Sequence, residues 1–227
     1  MEIRTVDHFY DFIKIYTAKA VDLIFRGVKS STYELIPSVG QVKKNSKKLT
    51  LADEKRLLEI FKYRAYPFIK EYKEDDLELL SIGQHHGLPT RLLDWTRNPL
   101  AAAYFAVEFP FTDQDKALSE FSCIYVHEPK DKVILGETFD PFKITEVKRF
   151  VPKHWDKRII AQGGLFTVHH DPYTPWKPLG LKRILIHHDI RKEVKKTLNK
   201  LGVNASTIYP DLDGIVRYIK WLRSDGH

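Results

Sequence analysis

Residues 84–106 constrain this chain more than any other stretch. Gln84, His85, His86, Thr90, Arg91, Asp94, Trp95 and Thr96 all carry hydrogen-bonding side chains, and the apolar run Ala101-Ala102-Ala103-Tyr104-Phe105-Ala106 follows them. A polar group buried beside such residues needs a partner, because an unsatisfied one costs about 1–3 kcal/mol. A segment built only to fill a core does not carry this many. The pattern predicts a buried strand over residues 91–95 with a polar edge, then a helix that Asn98 caps, that Pro99 opens and that runs to Val107. On that strand Arg91, Leu93 and Trp95 share one face, and Leu92, Asp94 and Thr96 share the other. Asp94 and Thr96 then point into the gap before the helix, where free backbone amides and the helix dipole attract anions. Helix capping by one of them is the simpler alternative, and it does not exclude a ligand.

Around this block, helical and strand-like segments are mixed, with no repeat and no low-complexity linker. Phe9, Phe12, Ile13, Tyr16 and Ala20 recur at helical spacing over residues 6–22. A strand at 23–28 and a long loop over 30–50 follow. Residues 53–72 read as a helix that Pro67 kinks or splits, and residues 75–82 as another that Gly83 closes. Further strands are expected at 122–126, 133–135, 142–147, 165–168 and 183–186, with a two-glycine turn just before residue 165. A basic helix over 190–201 stops at Gly202. A last helix opens near Pro210 and places Ile215, Tyr218, Ile219 and Leu222 on one side. This order predicts an α+β class: one domain over residues 1–227, with a mixed or antiparallel sheet flanked by helices.

Composition narrows the partners. Lys and Arg number 37 against 30 Asp and Glu, a net charge of +7 that favours phosphates, nucleotides or nucleic acid. Two basic sets stand out: Lys43, Lys44, Lys47 and Lys48, and Arg191, Lys192, Lys195, Lys196 and Lys200. Neither has aromatic residues interleaved to stack on bases, and a solvated surface is the commoner role of such runs. Cys123 is the only cysteine, which rules out a disulfide within the chain and a thiolate metal cage; its apolar neighbours suit a core thiol. His169-His170-Asp171 and His187-His188-Asp189 lack the His-x-x-x-His spacing, so no metal is expected. The first residues lack a basic segment followed by an apolar one, and no apolar run approaches the roughly 20 residues that span a bilayer. The expectation is a cytoplasmic protein without membrane contact.

Three smaller groups complete the candidates. Arg26, closing the first strand in Phe25-Arg26-Gly27, has a planar fork suited to carboxylate or phosphate, and Gly27 permits a close approach of backbone or ligand. A structural pair between Arg26 and Asp94 is an equal alternative. His85 and His86, adjacent on extended chain, face opposite sides, so one of them faces a site at most. Gln162, ahead of Gly163 and Gly164, can orient a ribose or an amide without ionising, or lie solvated in a hairpin turn.

Phe25-Arg26-Gly27, Ile36-Pro37-Ser38, the block from Gln84 to Ala106, the stretch from Arg158 to Phe166 with Gln162 and Gly164, and Tyr209-Pro210-Asp211-Leu212-Asp213-Gly214 together resemble the FRG domain family, named for its Phe-Arg-Gly motif. The resemblance runs from about residue 20 to 220. His86 stands where an aromatic, usually tyrosine, is expected, which makes His85 the match to the family histidine. More distantly, Arg26 on a first strand, Asp94-Trp95-Thr96 followed by Ala103-Tyr104-Phe105-Ala106, and Gln162 before Gly164-Leu165-Phe166 have the order and texture of ADP-ribosyltransferases. That likeness implies an ADP-ribosyltransferase-like fold, NAD or another nucleotide as substrate, and a toxin or phage-defence role. It implies catalytic roles for Arg26, His85, Asp94 and Gln162, and ligand contacts from Phe25, Gly27, Ser38, Gln84, Arg91, Trp95, Thr96 and Tyr104. Arg26 would hold the diphosphate, Thr96 would support the ribose, and Trp95 or Tyr104 would stack on nicotinamide. Gln162 or Asp94 would meet the ribose as an oxocarbenium ion develops. Many such transferases carry a glutamate where this chain has Gln162, which implies altered chemistry or a nucleotide binder without catalysis. The alternative function is a non-catalytic module for nucleic acid or a phosphorylated ligand.

Overall fold

The strand predicted inside the polar block forms one residue later than expected, at Leu92–Thr96, and the helix after it forms at Pro99–Val107 as expected. The computed structural model describes residues 1–18, 22–44, 47–69, 75–130, 139–153 and 156–224. In chain order the elements are β1 (Glu2–Ile3), α1 (Val6–Thr17), β2 (Ile24–Val28), α2 (Ser38–Gln41), β3 (Lys43–Lys44), β4 (Lys47–Lys48) and α3 (Leu51–Ala65). Then come α4 (Asp76–His85), β5 (Leu92–Thr96), α5 (Pro99–Val107), α6 (Asp113–Leu118), β6 (Phe121–His127) and β7 (Lys148–Phe150). The chain closes with α7 (Lys157–Gln162), β8 (Gly164–Val168), β9 (Lys182–His187), α8 (Arg191–Lys200), α9 (Ala205–Ile208) and α10 (Leu212–Ser224).

Seven strands form one sheet in the order β1-β9-β6-β2-β5-β8-β7. All neighbours run antiparallel except β1 and β9, so this is the mixed sheet of an α+β fold. Pairing is uneven. β2 and β6 are in register from Ile24↔His127 to Val28↔Cys123, and β5 and β8 from Leu92↔Val168 to Thr96↔Gly164. Between β2 and β5 only Phe25↔Thr96 is paired. Two well-laddered halves therefore meet at one rung and part beyond it.

Helices fix this arrangement from one side. In α5, Ala101, Ala102, Ala103 and Ala106 are fully buried, in one core with Phe9 and Phe12 of α1 and Val194 and Leu198 of α8. Asn98 Oδ1 accepts from the Leu100 and Ala101 amides, as the sequence predicts, and Pro99 takes the first helical position. The alanines let α5 lie directly on β2, and Gly27 completes the approach: a Cβ there would stand 1.8 Å from the Ala102 carbonyl oxygen. At the other end of the sheet, α3 and α4 pack Leu58, Leu77 and Leu79 against Leu92, Phe166 and Val168. On the opposite face Ile24, Leu93, Trp95, Cys123 and Leu165 form a third cluster, in which Cys123 is the core thiol expected.

Several local expectations are corrected. α3 stops at Ala65, so Pro67 lies beyond a terminated helix and does not kink one; Tyr66 still has helical backbone angles, and the proline, which has no N–H to donate, cannot extend the ladder. α4 runs through Gly83 to His85, and the turn comes at Gly87. No strand forms over 142–147; Phe142 and Ile144 instead pack on the α3–α4 cluster, and the sheet edge is Lys148–Phe150. The turn expected before β8 is helix α7, which Asp156 caps through the Arg158 amide and which Gly163 ends at φ 58° in the left-handed region. The loop over 30–50 contains α2 and the short β3–β4 pair. Residues 19–21 and 70–72 of two expected helices, and the whole strand expected at 133–135, lie outside the described residues. Among the described residues no helix is long and apolar enough to cross a membrane.

Gly27→Ala has no room against the α5 backbone. It is expected to cost about 2–3 kcal/mol, a fall in Tm of roughly 4–12 °C in a thermal melt. An unchanged Tm would show that α5 and β2 are not locked together at this point.

Candidate functional site

Where β2 and β5 part, a cleft of about 410 Å3 opens. Arg26, His85, Asp94 and Gln162 all line it, with Gln84, Arg158 and Tyr209. Phe25 and Thr96, the single paired rung, form its base with Gly27. Phe105, Glu108 and Phe109 close the side next to α5. Paired residues point to the same face of a sheet, so alternation starts Asp94 on the side of Phe25 and Arg26 on the side of Ile24. The break in pairing lets them meet. Arg26 Nη1 donates to the Asp94 carbonyl at 2.8 Å, taking an acceptor that the ladder leaves open, and lies 3.4 Å from Asp94 Oδ2.

Gln84, at the end of α4, organises the acid. Its Nε2 donates to Asp94 Oδ2 at 3.0 Å, while its Oε1 accepts from Thr90 Oγ1 at 2.7 Å and from Ser38 Oγ at 3.3 Å. The amide cannot turn over without breaking these bonds, so its donor stays aimed at the carboxylate. Asp94 remains accessible: its side chain is 57% exposed, against 24% for Arg26. Among the described residues Arg26 engages only Nη1, and the rest of its guanidinium donors stay available.

The far wall is held by α7 and the segment before α10. Arg158 Nε donates to Asp211 Oδ2 at 2.6 Å, and Nη2 pairs with the same carboxylate. The Gly214 amide and then Arg158 hold the Asp211 carboxyl below the usual carboxylate range. The Arg158 guanidinium lies 5.6 Å from the centre of the Tyr209 ring. His85 Nε2 faces Asp156 Oδ2 at 3.6 Å. Burial lowers the His85 pKa, helped by His86 and Arg158 and opposed by Asp156 and Asp94, so the ring is neutral at neutral pH. His85 and His86 sit at a helix end with rings edge to face at 5.1 Å, not on extended chain as expected. Gln162 Nε2 donates to the Ile208 carbonyl at 3.2 Å, and its own carbonyl accepts from Thr96 Oγ1. Thr96 also accepts from the Asn98 amide, so it joins β5, α5 and α7 at one point.

Other expected contacts lie elsewhere. Arg91 is buried, donating to Glu54 Oε2 at 3.0 Å and to the carbonyls of Pro141 and His169, and it does not line the cleft. Ser38 acts behind Gln84. Trp95 is the exception: it does line the cleft, but its ring is buried and its Nε1 donates to Thr167 Oγ1 at 2.9 Å. Tyr104 lines a neighbouring cavity. Arg191, expected on a basic surface, is interior and donates to the carbonyls of Ala106 and Phe109. His187, His188 and Asp189, at the C-terminal end of β9 and just after it, bring one potential ligand atom each within 4.8 Å of one another and do not line the cleft. Arg158, Tyr209, Phe105 and Glu108 are cleft residues that sequence reasoning did not select. The motif from Tyr209 to Gly214 carried the available signal for Tyr209 and, through Asp211, for Arg158.

Residues 21–115 match the family model of the FRG domain. The chain carries an FRG domain. The match covers somewhat under half of the chain, and it includes Arg26, Gln84, His85, Asp94 and Thr96 but ends before α7 and Tyr209. No curated protein and no solved structure matches the chain. The cleft is thus built partly from the FRG segment and partly from residues beyond it.

Two outcomes separate structural from available groups. Arg91→Ala leaves Glu54 charged and buried, and is expected to lower stability by about 3–5 kcal/mol in a urea melt. Arg26→Ala, at a half-open surface, is expected to change it by about 1 kcal/mol or less. The pH dependence centres on His169, which is buried against Trp176 and meets Thr167 Oγ1 at 2.8 Å. Burial first, then the neighbouring cations, lowers its pKa to about 3. Its folded pKa lies below the unfolded value, so its contribution is fully present above about pH 6.5 and is lost as pH falls toward 3. The expected slope is at most about 1.4 kcal/mol per pH unit. His169→Gln should flatten the fall in urea midpoint between pH 7 and pH 4.5; an equally steep profile would assign the acid sensitivity to other groups.

Proposed function

We propose that the cleft binds an NAD-type dinucleotide and breaks the bond between its nicotinamide and ribose, passing ADP-ribose to water or to an acceptor molecule. The observation that carries this reading is that Arg26, His85, Asp94 and Gln162, far apart in sequence, line one cleft together with Arg158. The open side of the Arg26 guanidinium suits a diphosphate, whose oxygens match its planar fork, and Arg158 adds the Nη1 donor that Asp211 does not take. Arg26 supplies the unengaged donors, and Arg158 is fixed in place by Asp211.

Asp94 is the exposed acid of the cleft and is the group suited to a developing ribosyl cation. Gln162 has no charge, and its amide nitrogen is engaged by Ile208. Asp94 therefore takes the role that the resemblance to ADP-ribosyltransferases gives to a glutamate. In the step, the bond from the ribose carbon to the nicotinamide nitrogen breaks, and its electron pair leaves with nicotinamide, cancelling the pyridinium charge. The acceptor's lone pair forms the new bond to that carbon, and the acceptor's proton passes to a base. His85, neutral because it is buried, suits that task. Phe105 and Tyr209, edge to face at 6.4 Å, offer aromatic surface to the nicotinamide in place of Trp95 and Tyr104. Consumption of NAD in the cytoplasm is the chemistry of a toxin or a phage-defence protein. A nucleic-acid module has weaker support, since Arg191 of the basic helix is buried and Lys195 donates to the Glu108 carbonyl at 2.7 Å.

The test is incubation of the purified protein with NAD and chromatographic measurement of released nicotinamide. Arg26→Ala and Asp94→Asn are each expected to reduce release by about a hundredfold or more while the Tm is kept. No release by the wild type, or release that neither substitution alters, would sink the reading.

A further inference from the structure

A second cavity, of about 370 Å3, is bounded by the end of α5, by α8 and by α10. It adjoins the cleft, since Glu108 and Phe109 line both. Its surfaces are largely apolar and aromatic: Tyr104, Phe109, Val203, Tyr218 and Trp221, with the Tyr218 and Trp221 rings stacked at 6.2 Å and 22°. Its charged groups are three cations, Lys195, Arg217 and Lys220, against one acid, Glu108.

That acid is already committed. Glu108 Oε2 accepts from the Tyr209 hydroxyl at 3.0 Å and Oε1 from Arg217 at 3.3 Å, and burial pushes its carboxyl pKa up. Lys220 has no ion pair or hydrogen bond with a described residue. Asn199 accepts from Asn204 Nδ2 through its oxygen at 3.1 Å, and its own amide nitrogen has no partner among the described residues. The concavity thus combines flat apolar walls, an unused amide donor and, at Lys220, a positive charge that no described acid offsets. A hydrocarbon would leave the Lys220 ammonium unanswered, and a small hydrophilic anion would leave the aromatic walls wet. A flat ring that bears a negative group and an acceptor atom satisfies both.

We propose that this cavity is a second ligand site, for a planar aromatic anion. Purine nucleoside monophosphates and aromatic carboxylates share that chemistry. The proposal does not depend on what the cleft binds.

The test is calorimetric titration of the full chain carrying Arg26→Ala, which removes the cleft's open guanidinium, with AMP, indole-3-acetate and their uncharged counterparts adenosine and indole-3-acetamide. At least one anion is expected to bind about tenfold tighter than its neutral counterpart, and which of the two does so identifies the source of the ligand. Adding Trp221→Ala should weaken that anion by about tenfold through lost ring contact. Adding Lys220→Glu, at an exposed position that does not threaten the fold, should weaken the anion by about fivefold and leave the neutral compound unchanged. The proposal is overturned if neither anion binds in the Arg26→Ala chain, if each binds no tighter than its neutral counterpart, or if Lys220→Glu leaves the anion's affinity as it was.

Discussion

The single rung between β2 and β5 is the constraint on which the rest of this structure depends. A continuous ladder would pair Arg26 with Trp95 and Gly27 with Asp94, which would close the space where the cleft lies. The strands can part because neither relies on the other for its hydrogen bonds. β2 is fully laddered to β6, and β5 to β8. The cost of the unmade backbone bonds is met locally, where Arg26 donates to the Asp94 carbonyl. α5 supplies the mechanical support: it sits so close to β2 that residue 27 must lack a side chain. The Phe-Arg-Gly tripeptide thus contributes three distinct things, a paired core residue, a guanidinium that spans the opening and a clearance for the helix behind it.

Around that opening the polar groups are arranged in layers that differ in freedom. Behind the cleft, Ser38 and Thr90 hold the Gln84 oxygen, which fixes the direction of the Gln84 nitrogen and so of the Asp94 carboxylate. Opposite, Asp211 holds Arg158, and Asp211 is itself held by the Gly214 amide at the start of α10. Asp94 and the outer edge of Arg26 are left facing solvent. Side chains held by their neighbours and open on one side lose little conformational freedom when a ligand arrives, and that economy is what lets a small cleft bind with selectivity.

Much of this was legible in the sequence where local chemistry decides the outcome. Asn98 and Pro99 announced α5 because capping and a fixed φ act within a few residues. Leu93 and Trp95 on one face of β5, with Asp94 and Thr96 on the other, followed from strand alternation. What the sequence concealed depends on contacts between distant segments. α7 looked like a glycine turn because its six residues show no periodicity, and its existence rests on the Asp156 cap and the left-handed Gly163. The strand expected at 142–147 failed because Phe142 and Ile144 found a cluster to fill without pairing. The pairing of Arg26 with Asp94 was one of two readings the sequence offered, but the gap in the sheet that lets them meet is revealed by no residue pattern on either strand.

The arginines show where the limit of such reading lies. Arg26, Arg91 and Arg191 are alike as letters, and each stands near apolar residues in sequence. A guanidinium has five donor hydrogens, and its role depends on how many acceptors the fold brings to it. Arg91 meets Glu54 and the carbonyls of Pro141 and His169, with the Phe142 ring at 4.7 Å, so three of its donors are taken and it is buried. Arg191 meets the Ala106 and Phe109 carbonyls and Ser122, with the Phe111 ring at 4.7 Å, so three of its donors are taken and it too is buried. Both sit where chain segments converge and supply carbonyl oxygens from several directions. Arg26 sits where two strands diverge, so acceptors reach it from one side only. The same gap that opens the cleft therefore leaves its arginine with open donors, and the cavity and its open guanidinium arise from one geometric cause.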